Sequence, residues 1–368
     1  MSLSDQARRA AAAFRLPGPI CHVDTHGEGL IHDTFVVSAG AHAGVDRFIL
    51  QRINQGVFAD PEALMQNVES VVSHLQLRAI QSGRDPQREV VSLARTKAGK
   101  AWHESEGDAW RMFRYVEGTE IIDQAPTLEQ AGEIGGAFGR FLDDLSAYPL
   151  ESLQTVLPEY RDTERYLAAL WHVVGQDPLE RVSNATTEIA AIESRVDEAM
   201  RLQNLQHRGD IPLRVIHGDT KSNNVLLDRE TGAGLCVIDL DTVMPGLLLH
   251  DIGDCVRDAL VGNSQRRDSL SEHDLQIIEA IVKGFLSELS APPSALEVDS
   301  IVAGIKSITL ELGVRFLTDY LSGDAYFKAR YPQENLHRAR QHLHLFRAIE
   351  FSEGDLKPII ERWTDGLL

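Results

Sequence analysis

The chain has 368 residues, 43% of them hydrophobic and 25% charged, which excludes wholesale disorder and is long enough for two domains. Lys and Arg total 36 against 55 Asp and Glu, and the resulting formal charge of −19 argues against nucleic acid and anionic membrane as partners. No apolar run approaches the roughly 20 residues of a membrane helix, the N-terminal MSLSDQARRAAAAFRLPGP lacks the apolar core of a secretory signal, and three unpatterned cysteines point to a reducing cytoplasm.

In chain order, GEGLIHDTFVV opens with Gly27 and Gly29 and then turns into a strand. His32 to Val37 and Arg47 to Ile53 bracket the Gly/Ala turn SAGAHAG, which predicts a hairpin. Asp60 suits an N-cap and Pro61 the first helical position, and Leu64, Val68, Val71 and Leu75 follow at helical spacing. Two more strand-like runs follow, EVVSLARTKAG and AWRMFRYVEG, so the pattern reads as a small sheet with one helix against it. From Thr127 onward helical periodicity dominates, over Leu128 to Leu145, Ala185 to Leu205, Glu272 to Leu289, Ala295 to Leu321 and Asn335 to Phe351. The division expected is α+β, with a β-rich part over residues 1–117 and a helical part over 118–368.

One stretch interrupts the helices: VIHGDTKSNNVLLDRETGAGLCVIDLDT. Two strand-like fragments flank the polar clusters HGDTKSNN and DLD. Asp219 and Asn224 stand five residues apart on a loop, and Asp239 ends an apolar strand. Carboxylate and amide oxygens suit Mg2+, and a carboxylate beside a metal–phosphate group can orient a hydroxyl for in-line attack. HGD alone reads as a capped turn and DLD alone as a solvated strand end. Together, H-G-D-x4-N, strand, turn and strand ending in Asp form the catalytic loop and metal-binding strand of a protein-kinase-like fold.

On these motifs the chain resembles the aminoglycoside phosphotransferase superfamily, with Gly218 where protein kinases carry Arg. IDLDTVMPG with HDIGD, RFLTDYLSGDAYFK and NLHRARQHLHLF are similar to its N-acetylhexosamine 1-kinase branch. The resemblance implies a two-lobed fold with a nucleotide-binding N-terminal lobe and a helical catalytic and substrate-binding lobe. It also implies ATP and Mg2+ as cofactors and a small-molecule sugar as partner, with no obligate protein partner evident. Asp219 becomes the catalytic base, Lys221 a neutraliser of the γ-phosphate, Asn224 and Asp239 the metal ligands, and Asp241 a supporting or second-metal carboxylate. Asp251 and Asp254 fit structural caps at least as well as a site role.

Gly27 and Gly29 stand where such folds put the phosphate loop, and no G-x-x-x-x-G-K-[ST] suggests a P-loop instead. The strand Lys expected to hold the α- and β-phosphates is absent. FILQRIN offers Arg52, which can clamp phosphate bidentately, with Glu69 as its expected ion-pair partner. Arg114 to Gly118, with Val116 central, stands where the adenine hinge belongs. His32, Asp33 and Thr34 are either turn-capping residues or reach toward the acceptor, as a G-x-x-N-D-T stretch does in sugar 1-kinases. Arg315 lies in an apolar helical run, either paired with Asp319 at i+4 or donating to the acceptor, and Tyr320 could add a donor or a stacking face.

Other constellations carry less. His22, Asp24 and His26 lack a fourth metal ligand, and Trp102, Trp110, Trp171 and Cys236 read as packing. The rival functions are a kinase of this fold with another acceptor, such as an aminoglycoside, another sugar or a choline-like alcohol, and a non-catalytic nucleotide-binding pseudokinase. A choline-like substrate calls for an aromatic cage, and no clustered aromatic set is visible in the sequence.

Overall fold

The computed structural model describes residues 2–27, 31–41, 44–122, 126–262 and 268–364. The elements run α1 (Leu3–Ala11), β1 (Ile20–Thr25), β2 (Asp33–Ala41), β3 (Gly44–Arg52), α2 (Pro61–Gln81), α3 (Pro86–Glu89), β4 (Trp102–Ser105), β5 (Asp108–Arg114), β6 (Thr119–Glu120) and α4 (Leu128–Asp144). They continue with α5 (Thr163–Gln176), α6 (Thr186–Glu193), α7 (Val196–His207), β7 (Arg214–Ile216), β8 (Val225–Asp228), β9 (Gly234–Val237) and β10 (Met244–Gly246). The remainder is α8 (Leu248–Val261), α9 (Glu272–Ser287), α10 (Ala295–Asp299), α11 (Ile301–Ser322), α12 (Glu334–Phe351) and α13 (Glu353–Thr364). Two compact units emerge: Met1–Thr119 with Ala147–Pro158 and Cys236–Val243, and Glu120–Ser146 with Glu159–Leu235 and Met244–Leu368.

The first unit is built on an antiparallel sheet in the order β1-β2-β3-β5-β4. The expected hairpin forms, with β2 and β3 in register from Asp33 opposite Arg52 to Ala41 opposite Gly44. Strand side chains alternate between faces, so Phe35, Val37, Ala39, Phe48, Leu50, Trp110 and Met112 share one face. Ala7, Ala10, Ala11 and Phe14 complete that cluster. The N-terminal segment is therefore a helix, started by a capping box in which Ser2 accepts the Asp5 N–H and Asp5 accepts the Ser2 N–H. The expected helix α2 forms, capped by Asp60, and buries Leu64, Val68, Val71 and Leu75. Its polar links run to residues 147–158: Asn67 exchanges two hydrogen bonds of 2.8 Å with the Gln154 backbone, and Ser70 bonds the Tyr148 hydroxyl at 2.7 Å.

The run EVVSLARTKAG departs from expectation. It makes isolated bridges, Val90 to Val237, Leu93 to Phe113 and Thr96 to Phe14. A segment stitched to three partners in turn cannot propagate one ladder. The strand beside β5 is instead β4, joined to it through Glu106 and Gly107, both at positive φ (57° and 86°), the backbone that a two-residue hairpin turn requires.

The second unit is mainly helical. Its core gathers Leu167, Leu170, Ile192, Leu310, Leu317, Tyr320, Leu343 and Phe346 from α5, α6, α11 and α12. Helices α4 and α9 approach backbone to backbone: a Cβ on Gly135 would stand 2.4 Å from the Ile281 carbonyl oxygen, and one on Gly139 2.3 Å from that of Phe285. Expected helices over 185–205 and 295–321 are each broken in two, at Ser194–Arg195 and at Ser300. A short antiparallel pair, β7 with β10, and the strands β8 and β9 interrupt the helices where the sequence indicated. Among the described residues no helix is long and apolar enough to cross a membrane.

Candidate active site

In the second unit, the segment between β7 and β8 is held by its own backbone. The His217 and Gly218 N–H groups donate to the two carboxylate oxygens of Asp251 at 2.7 and 2.9 Å. The Asp219 N–H donates to His217 Nδ1 at 3.2 Å, which puts the imidazole proton on Nε2. The His217 ring is itself wedged edge-on against Phe138 and Phe141. Gly218 has φ 81°, a conformation glycine enters without a side-chain clash. Downstream, the Thr220 hydroxyl donates to the Asp251 carbonyl at 2.6 Å and the Ser222 N–H to Asp258 at 2.8 Å. Asp251 and Asp254 thus act as anchors of this loop and of a buried ion-pair network rather than as helix caps. Burial lifts the Asp251 carboxyl to about 6, against the pull of the two N–H donors.

This backbone brings three of the predicted residues together. Lys221 Nζ lies 2.8 Å from the Asp219 carboxylate. Asn224 Nδ2 donates to the Asp219 carbonyl at 2.9 Å and to its carboxylate at 3.2 Å. Burial opposes the charge on Lys221, but Asp219 outweighs it and raises the Lys221 pKa. The Asn224 amide commits its NH2 to Asp219, so its oxygen is the atom left to serve as a ligand. Amide oxygen fits Mg2+, which takes few protein ligands and completes its shell with water and phosphate. Among the described residues no group of three or more His, Cys, Asp or Glu could hold a metal by itself. His22, Asp24 and His26 accordingly form no such centre.

The sequence did not single out Tyr160 and Arg161. The Tyr160 hydroxyl and Arg161 Nη2 both donate to the Gly218 carbonyl, at 2.8 and 2.6 Å. Arg161 is buried, and it also pairs with Asp254 at 3.1 Å and Glu311 at 3.0 Å. Asp254 in turn holds Arg257 at 2.9 Å. Burial and the neighbouring Arg161 charge push His250 down to about 3, so it is neutral at any working pH.

Arg315 does not pair with Asp319. Its guanidinium sits over four aromatic rings: Tyr166 at 4.9 Å, Phe327 at 5.5 Å, Tyr160 at 5.6 Å and Tyr326 at 5.7 Å. Asp319 instead accepts the backbone N–H groups of Ala325, Tyr326 and Phe327 at 2.8–3.0 Å and so pins the loop that carries two of those rings. An aromatic cluster therefore exists, assembled from residues 160, 166, 326 and 327 that no sequence window contains. Tyr320 belongs elsewhere: only 2% exposed, it lies in the helical core against Arg181 and cannot meet a substrate.

In the first unit, Asp239 has φ 63° and ψ 61°, a left-handed conformation that Asp tolerates better than most residues. Its carboxylate oxygens are again of the hard type Mg2+ takes. Asp241 does not fit the expected metal role. Arg111 grips its two oxygens bidentately, and His32 Nε2 lies 2.6 Å from one of them. His32 Nδ1 accepts the Asn54 N–H at 3.0 Å, so its proton is on Nε2 and points at Asp241. His32 is therefore a buried partner of Asp241 and not a substrate ligand. Of the other expected acceptor contacts, Asp33 pairs with Arg52 at 2.6 Å and the Thr34 hydroxyl accepts from Gln51 at 3.4 Å.

The expected Arg52–Glu69 pair does not form. Arg52 bonds Asp33 and Asp108, while Glu69 pairs with Arg95. Strand parity gives the reason. Arg52 shares the face of Phe48 and Leu50, and Gln51 and Arg111 project from the other face, toward Asp241. Arg111 is 1% exposed, and its burial is not visible in the local strand pattern. Gly27 has φ 66°, among the described residues nothing stands within 4 Å of where its side chain would be, and Gly29 lies outside the described residues. At the expected hinge, the Arg114 N–H donates to the Ser92 carbonyl at 2.8 Å and the Val116 carbonyl accepts from the Thr119 hydroxyl at 2.8 Å.

The fold is shared with solved proteins of low sequence identity. An aminoglycoside phosphotransferase from Alicyclobacillus acidocaldarius is 13% identical with a TM-score of 0.59, over 96% of each chain. An amicoumacin kinase in complex with AMP-PNP, Ca2+ and Ami is 13% identical with a TM-score of 0.61, over 95% of each chain. A microcompartment-associated aminopropanol kinase is 17% identical with a TM-score of 0.59, over 96% of this chain and 98% of that one. The family model described as the phosphotransferase enzyme family matches residues 22–275, a span that takes in both the sheet of the first unit and the HGDTKSNN loop of the second. The chain belongs to the phosphotransferase enzyme family.

Proposed function

We propose that this phosphotransferase moves the γ-phosphoryl group of ATP to the anomeric hydroxyl of an N-acetylhexosamine, giving the sugar 1-phosphate. The observation that carries the reading is the HGDTKSNN loop, in which the Asp219 carboxylate is clamped between Lys221 and Asn224. Asp219 accepts the proton of the attacking hydroxyl, and Lys221 supplies positive charge beside the transferring group. An anomeric hydroxyl is more acidic than an ordinary alcohol, so the demand on the base is modest. Asn224 and Asp239 are the proposed Mg2+ ligands through one amide and one carboxylate oxygen. Held there, Mg2+ would supply positive charge to offset that of the phosphates.

The acceptor assignment draws on the resemblance at RFLTDYLSGDAYFK and on Arg315. The aromatic cage that a choline-like cation would need is filled by this chain's own guanidinium. A polycationic aminoglycoside would meet the same positive charge. A neutral sugar rich in hydroxyl and carbonyl acceptors suits Arg315 better than either. Tyr326 adds a hydroxyl 3.5 Å from that guanidinium. The test is ADP release with N-acetylglucosamine, N-acetylgalactosamine, glucose, galactose, choline and an aminoglycoside, with the product identified by phosphorus NMR. An N-acetylhexosamine 1-phosphate is expected. A 6-phosphate, or turnover with choline alone, overturns the acceptor assignment.

A further inference from the structure

Tyr160 and Arg161 lie more than fifty residues before the HGDTKSNN loop, yet both side chains end on the same atom in it. The Gly218 carbonyl oxygen accepts from the Tyr160 hydroxyl at 2.8 Å and from Arg161 Nη2 at 2.6 Å. The N–H of that same peptide unit, on Asp219, is held by His217 Nδ1 at 3.2 Å. A peptide is planar, so fixing its oxygen and its N–H fixes the plane from which the Asp219 side chain departs. The preceding peptide is pinned through the Gly218 N–H to Asp251. Of these restraints, only the pair on the carbonyl comes from residues 160 and 161.

The arrangement is costly for a purely structural contact. Arg161 has φ 65°, a left-handed backbone that residues with a Cβ adopt rarely. Its guanidinium is buried, and among the described residues its Nε has no hydrogen-bond partner. Strain and an unsatisfied buried group at one residue mark a place where the surroundings impose a conformation for some other purpose. The surroundings here are Asp254 at 3.1 Å and Glu311 at 3.0 Å. Glu311 is one helical turn before Arg315 on α11, and the Tyr160 ring lies 5.6 Å from the Arg315 guanidinium. Tyr160 therefore touches Arg315 at one end and the Asp219 peptide at the other, and Arg161 joins that same peptide to α11 through Glu311.

We propose that Tyr160 and Arg161 are positioning residues that orient Asp219 through the Gly218–Asp219 peptide and tie that orientation to the Arg315 cluster. The proposal rests on Asp219 being the catalytic base. Tyr160→Phe is the direct test, because it keeps the ring beside Arg315 and removes only the hydroxyl. Turnover is measured with N-acetylglucosamine as acceptor and also as ATP hydrolysis with water as acceptor, which makes the result independent of the sugar assignment. The expected result is a fall in kcat of about 5- to 10-fold in both reactions, the value of one hydrogen bond, with the ATP KM and the melting temperature unchanged. Arg161→Lys, which retains the charge and loses the fork, is expected to cost more in kcat than Tyr160→Phe. Wild-type kcat in Tyr160→Phe overturns the proposal. So does a loss that disappears when activity is expressed per folded molecule. Asp219→Asn is run alongside: if it turns over normally, the base assignment has failed, whereas an inactive Asp219→Asn with a wild-type Tyr160→Phe overturns only the positioning role.

Discussion

Asp241 shows how a single buried carboxylate organises the first unit. Burial alone lifts its pKa, but Arg111 and then His32 outweigh that and hold it well below the usual carboxylate range. A folded pKa below the unfolded one means the ionised group stabilises the fold. That stability is present above about pH 4 and is lost as the pH falls below it. Arg111→Met should therefore cost about 3–5 kcal/mol, because it leaves the charge buried alone, whereas the Arg111→Met/Asp241→Asn double variant should recover much of the loss. Urea denaturation at neutral pH measures both, and a single variant as stable as wild type would show the pair to be dispensable. Asp219 is the opposite case, a group whose loss should spare the fold. Asp219→Asn is expected to lower kcat by about 100-fold or more while ATP binding persists. Calorimetric ATP titration beside a turnover assay separates the two effects, and near-normal turnover removes Asp219 from the mechanism. Arg52, tied to Asp33 and Asp108 on the α1 face, should leave the ATP KM unchanged when replaced by Ala.

At the scale of elements, α4 looks poorly suited to be a helix. It carries Gly132, Gly135, Gly136 and Gly139, and each glycine costs about 1 kcal/mol against Ala in a helix interior. The crossing with α9 explains them, since no Cβ fits at Gly135 or Gly139 without moving the backbone of α9. Gly139→Ala should thus destabilise by about 1–3 kcal/mol instead of stabilising, and a rise in melting temperature would contradict the close crossing. Helix α11 has a related compromise. It is buried around most of its circumference, yet it carries Arg315, whose charge is met by rings from α5, its N-terminal lead-in and the 324–333 loop. Arg315→Ala is expected to raise the KM of the proposed sugar acceptor by roughly 10-fold and leave that of ATP unchanged, as for a lost charge-assisted hydrogen bond. Normal sugar kinetics in a folded variant would return Arg315 to a packing role.

The molecule as a whole carries a formal charge of −19, and its proposed co-substrate is also an anion. The long-range field repels ATP, so capture depends on local positive groups. Salt shortens the reach of that field, from roughly 20 Å at about 20 mM to under 10 Å at about 200 mM. The kcat/KM for ATP should accordingly rise over that range at fixed free Mg2+. A steep fall instead would mean that a positive local field dominates the approach. Excess EDTA should abolish turnover, and full activity in its presence would remove the metal from the proposal.

Some of this was readable in the sequence because it is local. The hairpin of β2 and β3, the capped start of α2 and the strands around HGDTKSNN each follow from residues within one or two turns of each other. The contacts among Asp219, Lys221 and Asn224 span five residues, so a loop of that length brings them together with little help. The helix at 3–11 was hidden because its apolar face is made of alanines, which give a weak periodic signal until a sheet covers them. Arg111 and not Arg52 meets Asp241 because strand parity assigns the two arginines to opposite faces, and parity requires the register across β2, β3 and β5. Tyr160 and Arg161 reach Gly218 across 57 or 58 residues, Asp251 reaches it across 33, and the Arg315 cage draws on three separate stretches of chain. What could be read from sequence alone is the loop that joins Asp219, Lys221 and Asn224, because residues within six positions of one another meet whatever the rest of the chain does. Which buried charges neutralise one another and which peptide planes are held depends on the folded chain, because desolvated charges and backbone polar groups must find partners wherever the fold brings them within about 3 Å.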